Sequence, residues 1–135
     1  MTDVKPRLLE TAAVLLVRDV AASAAHYRDA LGFAFPKIWG DPPSFVILRR
    51  DGLSLMLKQA GDPADVRPHW KVSKGMWNAY FWVTGVDALY AEFVATGAKI
   101  DYPICDQSYG CREFGVQDVD GYDIGFGQDM AAQQQ

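Results

Sequence analysis

The side chains that could do chemistry fall into two sparse sets. One is an alternating run, Asn78, Tyr80 and Trp82, inside the stretch Trp77–Val83. The other carries carboxylates: Glu113 and Gln117 alternate within Arg112–Gln117, and Asp123 follows in Tyr122–Phe126. Aromatic faces beside carboxylates and amides suit a flat or cationic organic molecule, held by stacking and charge-assisted hydrogen bonds. A carboxyl group desolvated beside Trp82 would also keep its proton to higher pH, as a general base requires. Nucleophilic chemistry has no visible apparatus. No serine–histidine or cysteine–histidine arrangement stands out, and Gly110, Gly115, Gly121, Gly125 and Gly127 belong to strands and turns, not to a phosphate loop.

The elements that must position these residues come twice. Leu8–Val17 reads as a buried strand and Val20–Leu31 as a helix closed by Gly32. Phe33–Trp39 is a strand interrupted by Pro36, Gly40–Pro43 a turn, and Ser44–Arg49 and Leu53–Lys58 two strands joined at Asp51–Gly52. Ala60–Gly75, with its prolines and glycines, is a linker. The same order then returns: strand Trp77–Val83, helix Val86–Thr96, strand Lys99–Ile104, loop Asp106–Gly110, strand Arg112–Gln117, turn Asp120–Gly121 and strand Tyr122–Phe126. Val17 and Val83 are 66 residues apart, as are Val20 and Val86, whereas the two Asp-Gly turns are 69 apart. An internal repeat of about half the chain follows. Its predicted fold class is α+β: two βαβββ modules, about 8–59 and 76–128, forming a curved mixed sheet, a half-barrel with helices outside. The tail, Ala131–Gln135, is expected to fray.

Composition narrows the function. The chain has 135 residues, half of them apolar and 22% charged, as in an ordinary soluble domain. No apolar run approaches the roughly 20 residues that cross a bilayer, and Met1–Lys5 leads into no signal region. A net charge of −4 argues against a nucleic-acid partner. Cys105 and Cys111 are too few for a disulfide framework and read as reduced thiols in a cytoplasmic protein. Four tryptophans, Trp39, Trp70, Trp77 and Trp82, exceed what a small core absorbs easily. Trp39 suits a pocket rim or a dimer contact; Trp70 and Trp77 flank the linker and suit clamping it.

Two stretches carry a resemblance. Val17-Arg-Asp-Val20 with His26-Tyr-Arg-Asp-Ala-Leu-Gly-Phe33, and the closing hairpin Arg112–Gln128 around Asp120–Gly121, are similar to the vicinal-oxygen-chelate superfamily. That superfamily holds glyoxalase I, extradiol dioxygenases, fosfomycin-resistance enzymes and bleomycin-resistance proteins. Val119 stands where its proline is usual, and His26 where it prefers an aromatic. The resemblance implies where metal ligands would fall: Ala12, Met56, Asn78 and Gly125. Alanine and glycine offer no donor, a thioether is poor for a hard cation, and Asn78 alone has one oxygen. With only two histidines, His26 on a helix and His69 in the linker, no metal and no cofactor are expected.

If Ala12 and Asn78 face the cavity, strand alternation sends Val14, Leu16, Tyr80, Trp82, Glu113, Gln117 and Asp123 inward. Tyr80 and Trp82 fit either cavity or core; Glu113 fits either a ligand or a nearby arginine, and Arg112 could offset its charge. The resemblance implies a homodimeric, metal-free small-molecule binder like the bleomycin-resistance proteins, with ligand-binding Asn78, Tyr80, Trp82, Glu113, Gln117, Asp123 and Trp39. The alternative is a lyase or isomerase with displaced metal ligands or metal-free acid–base catalysis.

Overall fold

The computed structural model describes residues 4–133, so the tail's last two residues and the first three of the N-terminus lie outside the described residues. Module one runs β1 (Ala13–Val17), α1 (Val20–Leu31), β2 (Ile38–Trp39), β3 (Phe45–Arg50) and β4 (Leu53–Gln59). Short 3-10 turns at Pro63–Asp65 and His69–Lys71 occupy the linker. Module two runs β5 (Ala79–Trp82), α2 (Val86–Ala95), β6 (Lys99–Asp106), β7 (Cys111–Gln117) and β8 (Asp123–Asp129), followed by α3 (Met130–Gln133). Each module is a four-stranded mixed sheet of one order, β1-β4-β3-β2 and β5-β8-β7-β6, with first and last strands parallel. The two-module α+β fold expected from the repeat is present. No helix among the described residues is long and apolar enough to cross a membrane.

The repeat extends to single hydrogen bonds. Gln59 and Gln128, each at or near the end of its module's closing strand, accept the first helical N–H with their side-chain oxygens, from Val20 at 2.9 Å and Val86 at 3.0 Å. Asp51 and Gly52 both take positive φ, 51° and 79°, as a two-residue hairpin turn demands.

Several expected strands differ in extent; Trp77–Val83 keeps only Ala79–Trp82, and Lys99–Ile104 runs on to Asp106. Leu8–Ala12 lie outside β1, whose pairing with β4 begins at Ala13 opposite Leu55; only Leu53 and Ser54 of β4 separate Leu55 from the Asp51–Gly52 turn. Phe33–Trp39 keeps only Ile38–Trp39 plus one bridge, Ala34 to Arg49, since Pro36 has no N–H for a ladder. The last strand runs on to Asp129 because its partner β7 pairs with it through Cys111. The tail's start is a short helix and not frayed chain.

In each sheet one residue parity packs under a helix. Leu15, Val17, Val46, Leu48, Leu55 and Leu57 are buried in module one, and Phe114, Val116, Ile124 and Phe126 in module two. They join one core, in which Phe33 meets Phe81 across the modules at 5.8 Å between ring centroids. The modules are further tied by the turn before β8. Asp118 accepts the Tyr27 hydroxyl at 2.6 Å and the backbone N–H groups of Asp120 and Tyr122 at 2.9 Å. Asp120 accepts the Arg18 N–H at 2.9 Å and the Ser23 hydroxyl at 3.3 Å.

Burial pushes the Asp118 carboxyl up to about 6, against the pull of those hydrogen bonds. Between about pH 4 and 6 the folded state therefore holds more proton than the unfolded one, and stability falls as pH rises through that window. Asp118→Asn removes the titration. Relative to the parent, the variant should gain on the order of 2–3 kcal/mol between pH 4 and pH 7, read by denaturant unfolding at both pH values. A constant difference across that range would refute the assignment.

Candidate functional site

The face of the module-two sheet turned away from α2 is organised in three rows by strand register. Trp82, Gly127 and Glu113 form one row; Tyr80, Gly125, Gly115 and Tyr102 the next; Asp123 and Gln117 the third, with the Asn78 N–H donating to the Asp123 carbonyl at 2.8 Å. Glycine at 115, 125 and 127 leaves a hollow strip down the middle. Large rings fill it. A Cβ at Gly125 would stand 2.6 Å from the Tyr80 ring and 2.8 Å from Trp77, one at Gly115 would stand 2.3 Å from Tyr102, and one at Gly127 would overlap the Tyr80 hydroxyl.

The rings lean over the glycines toward Glu113. Its Oε1 accepts the hydroxyls of Tyr80, at 3.1 Å, and Tyr109; its Oε2 accepts that of Tyr102 at 2.5 Å. Trp77 in turn donates its indole N–H to the Tyr102 oxygen at 2.9 Å. Trp77 and Trp82 flank Tyr80 with centroids 4.7 and 5.0 Å away and planes inclined by 65° and 64°. Burial first, then the adjacent Glu113, drives all three phenols well above their ordinary pKa, so they remain neutral donors.

Glu113 itself is 0% exposed. Three phenols stand over it, and its side-chain partners among the described residues are tyrosines and not an arginine. Arg112 cannot offset its charge, because one step along a strand turns the side chain to the other face, where it pairs with Asp87 at 2.9 Å and Asp106 at 3.0 Å. Trp82 does stand open, 62% exposed.

The other candidates disperse. Asn78 precedes β5 and accepts the His69 N–H at 2.9 Å, so its side chain fastens the linker. Trp70 does likewise, donating to the Gly121 carbonyl at 2.6 Å. Gln117 reaches Asp101 at 3.5 Å. Asp123 is buried, its Oδ1 has no hydrogen-bond partner, and burial together with the Asp101 charge pushes its carboxyl up to about 6 against the hydrogen bond from Gln117. Trp39 lies on the other module, packed on Phe45 and under the Lys37 ammonium at 4.9 Å. A cleft of about 900 Å³ opens at the seam of the modules, lined by Phe33, Leu53, Phe81 and Phe93, and Trp82 stands at its edge.

Sequence reading missed Tyr102 and Tyr109 and gave Trp77 a lesser role. Tyr102 follows a register shift in β6, which breaks the count of alternation, and Tyr109 sits in a loop with no periodicity at all. The available signal was the glycines, alternating at 125 and 127 opposite 115: a strand face without side chains needs large neighbours to cover it.

The residues at the positions implied for metal ligands do not fit a metal. Ala12 and Gly125 have no donor, Met56 offers a thioether, Asn78 is engaged with the linker, and the room above Gly125 is taken by Trp77 and Tyr80.

Residues 9–126 match the family model of the Glyoxalase/Bleomycin resistance protein/Dioxygenase superfamily. No curated protein matches the sequence. Among solved structures, the bleomycin-binding protein from bleomycin-producing Streptomyces verticillus, complexed with copper(II)-bleomycin, is similar at 25% identity and a TM-score of 0.69, over 90% of this chain and 97% of that one. TioX from Micromonospora sp. ML1 shares the fold at 23% identity and a TM-score of 0.65, over 89% and 95%. Lactoylglutathione lyase from Agrobacterium tumefaciens does so at 17% and 0.67, over 94% and 98%.

Gly125→Ala tests the filled strip. The added methyl should displace Trp77 or Tyr80 and cost about 1–3 kcal/mol of stability, with a change in near-ultraviolet circular dichroism. Unchanged stability and spectrum would mean the rings do not rest there.

Proposed function

The chain belongs to the Glyoxalase/Bleomycin resistance protein/Dioxygenase superfamily, and we propose that within it the protein is a metal-independent binder that sequesters a flat or cationic organic molecule on the open face of module two. The observation that carries this reading is the strip at Gly125: where the family resemblance implies a carboxylate ligand, the chain supplies a bare backbone roofed by Trp77 and Tyr80. An aromatic layer ending in the exposed Trp82 is a stacking surface in place of a metal cage. The likeness to a bleomycin-binding protein supports sequestration, and antibiotic resistance is the role we propose for it. The protein acts as one domain in the cytoplasm, where Cys105 and Cys111 stay reduced, both thiols being pushed up by burial.

We further read it as a homodimer. The open face of module one leaves Val14 58% and Leu16 40% exposed, and Trp39 is on the same sheet. Apolar surface of this kind is covered by a second copy in a stable assembly.

A second reading rests on Asp123. A buried carboxyl group with one free oxygen and a pKa near neutrality is suited to metal-free acid–base catalysis. The two readings separate on one variant: Asp123→Asn would abolish turnover but leave sequestration intact.

Titration of tryptophan fluorescence with a panel of flat aromatic compounds tests the first reading. Binding should survive exhaustive chelation, and Trp82→Leu should weaken it by roughly tenfold. Sedimentation should give twice 14.9 kDa at tens of micromolar. Binding that disappears with chelator, or equal affinity in Trp82→Leu, would reject the site.

A further inference from the structure

The geometry points to a narrower ligand class: the Glu113–tyrosine cluster is an aromatic cage for a weakly hydrated organic cation, a methylated ammonium group, whose charge is answered by Glu113 through the phenols and without direct contact. This rests on the open-face reading above and names the chemistry that the face selects.

Three observations lead there. First, Glu113 is a buried carboxylate whose side-chain hydrogen-bond partners among the described residues are three phenols, with no lysine, arginine or histidine. A charge taken out of water with neutral donors alone leaves a negative potential that a cation would relieve. Second, both oxygens are already occupied, two hydroxyls on Oε1 and one on Oε2. A primary ammonium carries three N–H donors and would find few free acceptors, whereas a trimethylammonium asks for none. Third, a phenol that donates to a carboxylate becomes richer in electrons at its ring, and a ring face attracts a cation in proportion to that density. Tyr80, Tyr102 and Tyr109 are all polarised in this way. Trp77 and Trp82 pack edge-on against the Tyr80 ring from either side, and Tyr109, 58% exposed on the loop before β7, and Trp82, 62% exposed, present further aromatic surface to solvent.

Glu113 is a positioning residue here: it orients and polarises rings that touch the ligand. Tyr109→Phe should keep the wall and lose one polarising bond; Glu113→Gln should keep shape and lose the charge.

The test compares three soluble probes on the full-length protein: choline, ethanolamine as the primary ammonium, and 3,3-dimethyl-1-butanol as the neutral isostere. Affinities are read from the indole N–H resonances in NMR titrations. Choline should bind at least about tenfold tighter than either of the others. Glu113→Gln should bring choline to within about threefold of the neutral isostere, and Tyr109→Phe, at an exposed position where folding is safe, should weaken choline by about twofold to fivefold while leaving the neutral probe unchanged. If the neutral isostere or ethanolamine binds as tightly as choline, the cation cage is overturned. If flat aromatic compounds still titrate Trp82 in that case, the wider binding reading stands. If choline binds with the stated selectivity while flat aromatics do not, the cage stands and stacking on Trp82 falls. If no probe and no aromatic compound shifts any indole, both are rejected.

Discussion

The Asp118 carboxyl group is where the two halves of the chain depend on each other. It takes a phenol from α1 of module one and two backbone N–H groups from its own turn, and Asp120 beside it takes Arg18 and Ser23. A buried acid with that many donors fixes the turn, and the turn sets the start of β8. Since β8 pairs with both β5 and β7, the register of every row on the open face follows from it. Tyr122, whose hydroxyl reaches the Leu16 carbonyl in β1, continues the tie, and burial beside Asp120 and Asp118 pushes that phenol up to about 12.

The two modules share topology and helix-start hydrogen bonds but not the character of their open faces. Module one presents Val14, Leu16, Met56 and Ile47 beside Phe45 and Trp39, an apolar surface built from side chains. Module two replaces side chains by glycine in the middle of its sheet and covers the gap with aromatic rings from β5, β6 and the segment before β5. The rings are then held by hydrogen bonds that converge on one carboxylate. Such a layer is rigid, because the Tyr80 and Tyr102 phenols are bonded to Glu113 and packed onto the backbone of the glycine strip. A rigid, neutral-donor layer over a buried charge differs in kind from the carboxylate and imidazole cage by which a fold of this type would bind a metal, and the same glycines that make room for it remove the donor.

Much of the architecture was legible in the residues. The repeat spacing, the Asp51–Gly52 turn, the helix closed at Gly32 and the alternation in Phe114–Phe126 are local signals, each set by neighbouring residues along the chain, and the structure carries them all. The absence of donors at Ala12 and Gly125 was equally a matter of residue type. Alternation also placed Tyr80, Trp82 and Glu113 on one face, since a strand allows only two sides.

What the residues could not disclose is how that face is used. Whether Glu113 looks out on solvent or lies under phenols depends on Tyr102, displaced by a register shift beside Pro103, and on Tyr109, in a loop without periodicity. Asn78 turned to the linker for the same reason: its partner, His69, is brought near by the fold and not by spacing. Chain order determines parity and turn chemistry because those act over a few residues. Convergence of three hydroxyls on one carboxylate joins residues 80, 102, 109 and 113 across three strands and a loop, and only tertiary packing decides it.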